Sequence, residues 1–238
     1  MRTYIILSDL LIKMGKFFSK GKLHMAELNK ILKPKVEDYL EEKDDTESEL
    51  INERYVGNTL IENSIVQYIN EEKVEINGCR FVNVVFKECS FKNVDLLDVI
   101  FENCDLSNVD FSEGSIHRVE FKRCKLVGAN FSESNLQNVL FEDGIGRYIN
   151  FGYSKMKNIN FKECNIQGVI FLECNFSKVA FKECDISGSE FTNTPLKQID
   201  FRDSDISEIV LTGTELKDAI VSSLQAVELA RLLGVIIK

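Results

Sequence analysis

The sequence has no tryptophan, only two prolines and only two histidines in 238 residues. Its apolar runs are short. The longest N-terminal candidate, from Tyr4 to Ile12, contains Asp9 and falls far below the roughly 18 residues a membrane span needs. One Arg precedes that run and no small-residue cleavage site follows it, so it does not read as a signal peptide, and the chain reads as cytoplasmic. Basic residues are also in deficit: 29 against 38 acidic ones, net -9, which argues against direct binding to nucleic acid or an anionic membrane. Partners should be basic or neutral proteins. The seven cysteines include no CxxC pair, so neither a zinc site nor a cytosolic disulfide framework is indicated. No cofactor and no metal is expected. With 44% apolar and 28% charged residues, a soluble chain with one substantial core remains.

What is present is a period of five. From Ile76 to Leu216 every fifth residue gives 29 positions, of which 28 are Phe, Leu, Ile or Met, whereas chance would supply roughly 13. Gly146 alone breaks the series, and 15 of the 17 phenylalanines lie on it. Two residues before each lattice position stands a small or β-branched residue, as at Val94, Val99, Cys104 and Val109. All seven cysteines (79, 89, 104, 124, 164, 174 and 184) occupy this second set and read as buried thiols that fill space. Residues i and i-2 of an extended segment share a face, so each pentad sends two side chains inward. Five is odd, so the backbone must bend once per pentad to keep every pair inside. The chain must wind.

Positions 81, 91, 101 and onward to 201 are all Phe, with mostly Leu or Ile between them. A period of ten means an even number of pentads per turn. Two, four or six satisfy it; four gives uniform columns, such as Val99, Val119, Val139, Ile159, Val179 and Ile199.

Segments such as Phe161-Lys-Glu-Cys-Asn-Ile166-Gln-Gly-Val-Ile-Phe171 and Phe101-Glu-Asn-Cys-Asp-Leu106-Ser-Asn-Val-Asp-Phe111 resemble the pentapeptide-repeat family over about residues 76 to 216. The resemblance implies an all-β solenoid, a right-handed quadrilateral β-helix of about seven coils. The expected organisation is an N-terminal extension and acidic linker (1–55), an N-terminal cap (56–75), the repeat β-helix (76–220) and a C-terminal capping and dimerisation helix with its tail (221–238). Within the extension, 26–40 reads as a short helix, 41–49 as a solvated charge run or frayed helix, and 1–24 as a tail or an upstream start before Met25. Residues 56–75 carry Ile61, Ile65, Val66 and Ile69, read as out of phase with the lattice.

From Ser222 to Gly234 a helix with a Ser N-cap and a Gly stop is expected. Its apolar surface is too broad for one covered side, which predicts a two-fold dimer through Leu224, Val227, Leu232 and Ile236; the alternative is a monomer with the helix fully buried as a cap. The run from Leu224 to Ile237 resembles the C-terminal end of the Qnr-type and mycobacterial quinolone-resistance proteins, dimers that bind DNA gyrase and topoisomerase IV. The inserted loops of many Qnr-type proteins are missing here.

Nothing pairs a nucleophile with an orienting base, so no catalysis is expected. His24 and His117 read as isolated surface residues, and Gly144-Ile-Gly146 lacks the Lys-Ser/Thr of a phosphate loop. Mapped onto four sides, the charges separate. One side carries Asp110, Glu113, Glu133, Glu173 and Glu190 against Lys92, the next carries Lys155, Lys157, Lys178 and Lys197, and another pairs Lys162-Glu163, Lys182-Glu183 and Arg202-Asp203 laterally. The acidic side is the candidate docking surface. Two functions follow: a DNA-mimicking topoisomerase binder, or a scaffold that recognises its partner through residues 1–55 or a Tyr148/Tyr153 patch. Duplex DNA of about 34 Å carries about 20 charges, whereas residues 76–216 hold 21 acidic and 15 basic residues. Mimicry would be confined to one side.

Overall fold

The computed structural model describes residues 27–37, 39–42, 46–232 and 234–237. Its body is a parallel solenoid with a repeat of 20 residues: Phe101 pairs with Phe121, Phe121 with Phe141, Phe141 with Phe161 and Phe161 with Phe181. Four pentads therefore close each coil, and the open choice among two, four and six sides resolves to four. The main ladder runs through β8 (Asp95–Glu102), β9 (Ser115–Lys122), β10 (Asn135–Glu142), β11 (Lys155–Lys162) and β12 (Asn175–Lys182).

The bend falls two residues after each lattice position. Between Asn58 and Asp218 every corner but Asp203 adopts left-handed backbone, with φ of 48° to 64° at the non-glycine positions. Side chains other than Gly disfavour that conformation, Asn and Asp least. Of 28 non-glycine residues with positive φ, twelve are Asn or Asp; Glu, Lys, Arg, Gln and Tyr occupy the rest, so the stacked core over-determines the turn. Corner identity is thus free to serve the surface.

Inside, two columns of phenylalanine stack. Phe101, Phe121, Phe141 and Phe161 lie 4.8–5.1 Å apart with ring planes within 7°. The opposite column meets them edge-on, as Phe141 meets Phe151 at 5.9 Å and 79°. Both geometries suit the ring quadrupole. The seven cysteines are buried. Burial pushes the Cys89 and Cys174 thiols up, so they are inert packing groups. Gly146 is no defect in packing, because a Cβ there would lie 2.4 Å from Ile149 Cδ1. Ile149, larger than Val109, Ala129 or Val169 in its column, fills the space the glycine leaves.

The solenoid starts one coil before residue 76, so the segment expected as a cap over 56–75 is its first coil. β2 (Tyr55–Gly57), β3 (Thr59–Glu62) and β4 (Ile65–Gln67) pair in register with β5 (Glu75–Asn77), β6 (Arg80–Val82) and β7 (Val85–Lys87). Val56, Ile61 and Val66 are in phase and buried, with Ile69 on the i-2 set, while Ile65 points out and is 60% exposed. Capping falls instead to α1 (Thr46–Asn52), which packs on β2 and β4 and buries Leu50 completely. The charge run before it is partly a strand: β1 (Glu41–Glu42) pairs with β3.

No helix forms over the described part of 26–40. Residues 27–37 are an extended strap along one corner of the solenoid. Asn29 N–H donates to Asn160 Oδ1 (2.9 Å) and Asn160 Nδ2 returns a bond to Asn29 O (2.9 Å). Leu32 N–H donates to Asn138 Oδ1 (3.2 Å) and Lys35 N–H to Asp98 Oδ1 (2.9 Å). From Asn138 to Asp98 is two coils, about 9.6 Å, and three residues of extended backbone span about that distance. Residues 1–26, including His24 and Met25, lie outside the described residues.

At the other end the ladder must stop without orphaned donors. Glu215, 4% exposed, accepts from Asn193 N–H (2.9 Å), Thr212 N–H (3.1 Å), Gly213 N–H (2.8 Å) and the Thr212 hydroxyl (2.9 Å). Burial alone would raise its pKa, but the backbone donors and the hydroxyl outweigh it and hold the carboxyl below its ordinary value. A capping box then opens α2 (Ser223–Leu232): Gln225 N–H donates to Ser222 Oγ and Ser222 N–H to Gln225 Oε1. Gln225 Nε2 also donates to the carbonyls of Phe201 (2.8 Å) and Ser204 (2.9 Å), tying the helix to the last coil.

Two outcomes follow. Gly146→Leu, which restores the lattice on paper, overpacks Ile149 and lowers stability by about 1–3 kcal/mol, and adding Ile149→Ala recovers part of it; denaturant titration of both variants measures the coupling. Glu215→Gln places an amide donor against backbone donors and loses about 2 kcal/mol at pH 7. The native carboxyl titrates below its unfolded value of about 4.3, so its contribution is complete above that pH and is lost as pH falls through the folded pKa. The gap between wild type and variant therefore narrows on acidification.

Candidate functional site

The four sides are numbered by their first lattice positions: 81 (first), 86 (second), 91 (third) and 96 (fourth). Corner residues project furthest from the square, and on the edge between the third and fourth sides they run Asn93, Glu113, Glu133, Tyr153, Glu173 and Asn193, all with positive φ. Successive corners are one coil apart, about 4.8 Å. Three of the five expected acidic site residues, Glu113, Glu133 and Glu173, thus form one exposed edge interrupted by an exposed tyrosine. Lys92 Nζ lies 3.0 Å from Glu113 Oε1, and Asn193 Nδ2 donates to Glu173 Oε1 at 3.5 Å.

Asp110 and Glu190 do not join that edge. They stand four coils apart in an outward column of the third side, and Asp110 Oδ1 already accepts from Ser112 N–H (3.0 Å) and Asn130 Nδ2 (2.9 Å). Tyr153 is 54% and Tyr148 65% exposed, one at each edge of the third side, with the Tyr148 ring lying over Gly168. Sequence reasoning marked the tyrosines and the acids separately. Their shared edge was encoded in the spacing 133, 153, 173.

The first side is not open. The strap covers it, leaving Asp98, Glu120, Asn138 and Asn160 each under 9% exposed. Asp98 accepts from both Arg118 Nη2 (2.6 Å) and Nε (2.5 Å); burial would raise its pKa, but Arg118 and the strap N–H of Lys35 hold it below the ordinary carboxylate value. Lys162 pairs both ways, its Nζ 2.7 Å from Glu142 one coil below and 3.4 Å from Glu163 beside it, whereas Arg202 pairs within its own coil with Asp200 at 2.6 Å rather than with Asp203. His117 is half-buried rather than a free surface residue.

At the C-terminus only Leu229 of α2 is buried. The four expected dimer contacts are uncovered in a single chain: Leu224 81%, Val227 38%, Leu232 50% and Ile236 83% exposed. The helix is therefore not fully buried in the single chain. Among the described residues no helix is long and apolar enough to cross a membrane, and no group of three His, Cys, Asp or Glu is arranged to hold a metal ion.

A family model described as pentapeptide repeat region matches residues 94–171 and 151–221. A second, the SV2A/B/C luminal domain, matches residues 47–131. No curated protein matches the sequence. Among solved structures, trypsin-treated QnrB1, a plasmid-mediated fluoroquinolone resistance protein, is 22% identical with a TM-score of 0.44, covering 83% of this chain and 95% of its own. Full-length QnrB1 is 17% identical, TM-score 0.43, covering 74% and 100%. HetL, a pentapeptide repeat protein involved in heterocyst differentiation regulation from the cyanobacterium Nostoc, is 11% identical, TM-score 0.33, covering 70% and 86%.

The strap yields a measurable outcome. The amides of Asn29, Leu32 and Lys35 should exchange slowly with solvent, and Asn160→Ala, which removes two bonds to Asn29, should speed exchange at Asn29 about tenfold or more while leaving Lys35 nearly unchanged.

Proposed function

Because this chain belongs to the pentapeptide-repeat family, we propose that it is a non-catalytic cytoplasmic protein-binding scaffold, acting as a two-fold dimer joined through α2 and docking a basic protein partner along the Glu113–Glu133–Tyr153–Glu173 edge. The observation that carries this is the edge itself: three exposed carboxylates and an aromatic ring in one line on a rigid rod. Carboxylates at fixed spacing steer a cationic surface into register, and a tyrosine between them offers its face to an Arg or Lys. The uncovered apolar strip on α2 supports self-association, since an isologous contact buries the strip on both copies at once.

The finer reading is that the partner is a type II topoisomerase, DNA gyrase or topoisomerase IV, whose basic DNA-holding groove the acidic edge enters in place of phosphates. It rests on the resemblance of the C-terminal run to the Qnr-type proteins and on the sign of the charge. The surplus of six acidic charges over residues 76–216 limits such mimicry to this edge. The second reading, a scaffold for another basic partner, is favoured by the Tyr153 ring, which phosphate mimicry does not need.

Gyrase supercoiling with and without a quinolone, using wild type and Glu113→Lys/Glu133→Lys/Glu173→Lys, separates the two. Topoisomerase binding predicts that wild type changes supercoiling or drug sensitivity and the triple variant does not; no effect of wild type removes it. Leu224→Asp/Ile236→Asp should halve the mass measured by light scattering without unfolding the chain, and a wild-type mass of one chain removes the dimer.

A further inference from the structure

We infer that a notch beside Pro195 on the fourth side is a binding site for a small organic carboxylate with an apolar tail. The notch has a structural origin. On the fourth side, Lys155 N–H donates to Ser134 O and Asn175 N–H to Ser154 O, each at 2.9 Å. The next residue in that column is Pro195, which has no N–H to continue the ladder. The long strands of this side accordingly end at β12. One coil below, the column that reads Ile76, Leu96, Ile116, Leu136 and Met156 changes to Phe176. It is the lattice phenylalanine that is only partly buried; its ring meets Phe171 edge-on at 5.4 Å and lines the gap.

The result is a cavity of about 390 Å³, floored by Phe176, Val179, Pro195 and Ile199, within the range of small-ligand sites. Its charged groups are both cationic. Lys178 and Lys197 stand on the lining with the amides of Asn29 and Gln198, and Asn29 is fixed there by its Nδ2 bond to Lys178 O (2.8 Å) and its pair with Asn160. Lys155 and Lys157 occupy the coil below on the same side. The carboxylate facing Lys197 is Asp218, 3.9 Å away, with both side chains more than half exposed, which is a loose solvated pair. Two ammonium groups beside an aromatic and aliphatic floor, on a chain of net charge -9, complement an anionic head joined to an apolar body. An alcohol lacks the charge, and a cation would face the lysines.

Octanoate, octanol and octylammonium titrated into the full chain, followed by calorimetry and by NMR shift mapping, test this. Octanoate should bind saturably at one site, with shifts confined to residues 176–179 and 195–199, and the other two at least about tenfold more weakly. Lys178→Ala/Lys197→Ala should weaken octanoate by at least about tenfold with the thermal midpoint unchanged, and Lys178→Arg/Lys197→Arg should retain it. Equal binding of octanoate and octanol, shifts that map to the exposed apolar strip of α2, or indifference to the alanine pair would each overturn the assignment.

Discussion

Two side chains per pentad point inward, and a left-handed residue between pentads keeps them there. Every other property of the molecule depends on that constraint. Because the corner takes positive φ at Asn, Asp, Glu, Gln, Lys, Arg, Tyr and Gly alike, the inward pair is the strict demand in each pentad, and the outward positions vary, mostly among polar residues. Because the coil closes in 20 residues, each inward side chain meets a like neighbour about 4.8 Å away, and phenylalanine stacks on phenylalanine. The interior is filled by these columns, with thiols and β-branched residues taking the narrower i-2 sites. Chemistry is thereby moved to edges, ends and the few places where the ladder is broken.

Ends are the other demand of this architecture, since an unclosed parallel ladder presents unpaired backbone and bare core. The two ends solve it differently. At the start, α1 lays Leu50 on the first coil. At the finish, Glu215 collects the backbone donors of the last third side, and Gln225 both caps α2 and satisfies two carbonyls of the final coil. These polar contacts anchor α2 while leaving its apolar strip outward, the arrangement a self-associating end requires.

The lattice, the inward cysteines and the once-per-pentad bend were legible in the sequence because they arise from nearest neighbours in a regular repeat. Gly146 stood out as a break in the series because its compensation lies three residues on, in the size of Ile149. The first coil was misread because Ile65 was grouped with Ile61 and Val66, although only the latter two keep the phase. The strap was hidden for a different reason: its partners Asn160, Asn138 and Asp98 are more than 60 residues away in sequence. One signal existed. The outward column of the first side reads Ile100, Leu140 and Ala180 at alternate coils, apolar residues where solvent was expected. The acidic edge was half legible, since charge mapping found the side while only the corner conformation distinguishes Glu113, Glu133 and Glu173 from Asp110 and Glu190.

Three features lie outside the packed columns: the carboxylate and tyrosine edge, the uncovered face of α2, and the notch that Pro195 opens among lysines. All three presuppose that the five-residue phase holds its inward set away from water. Reaction of the native chain with an aromatic disulfide reagent tests this most directly, because all seven cysteines lie in that set. The account predicts that no thiol reacts until the chain is unfolded, when all seven do; rapid reaction of several thiols in the native protein would contradict it.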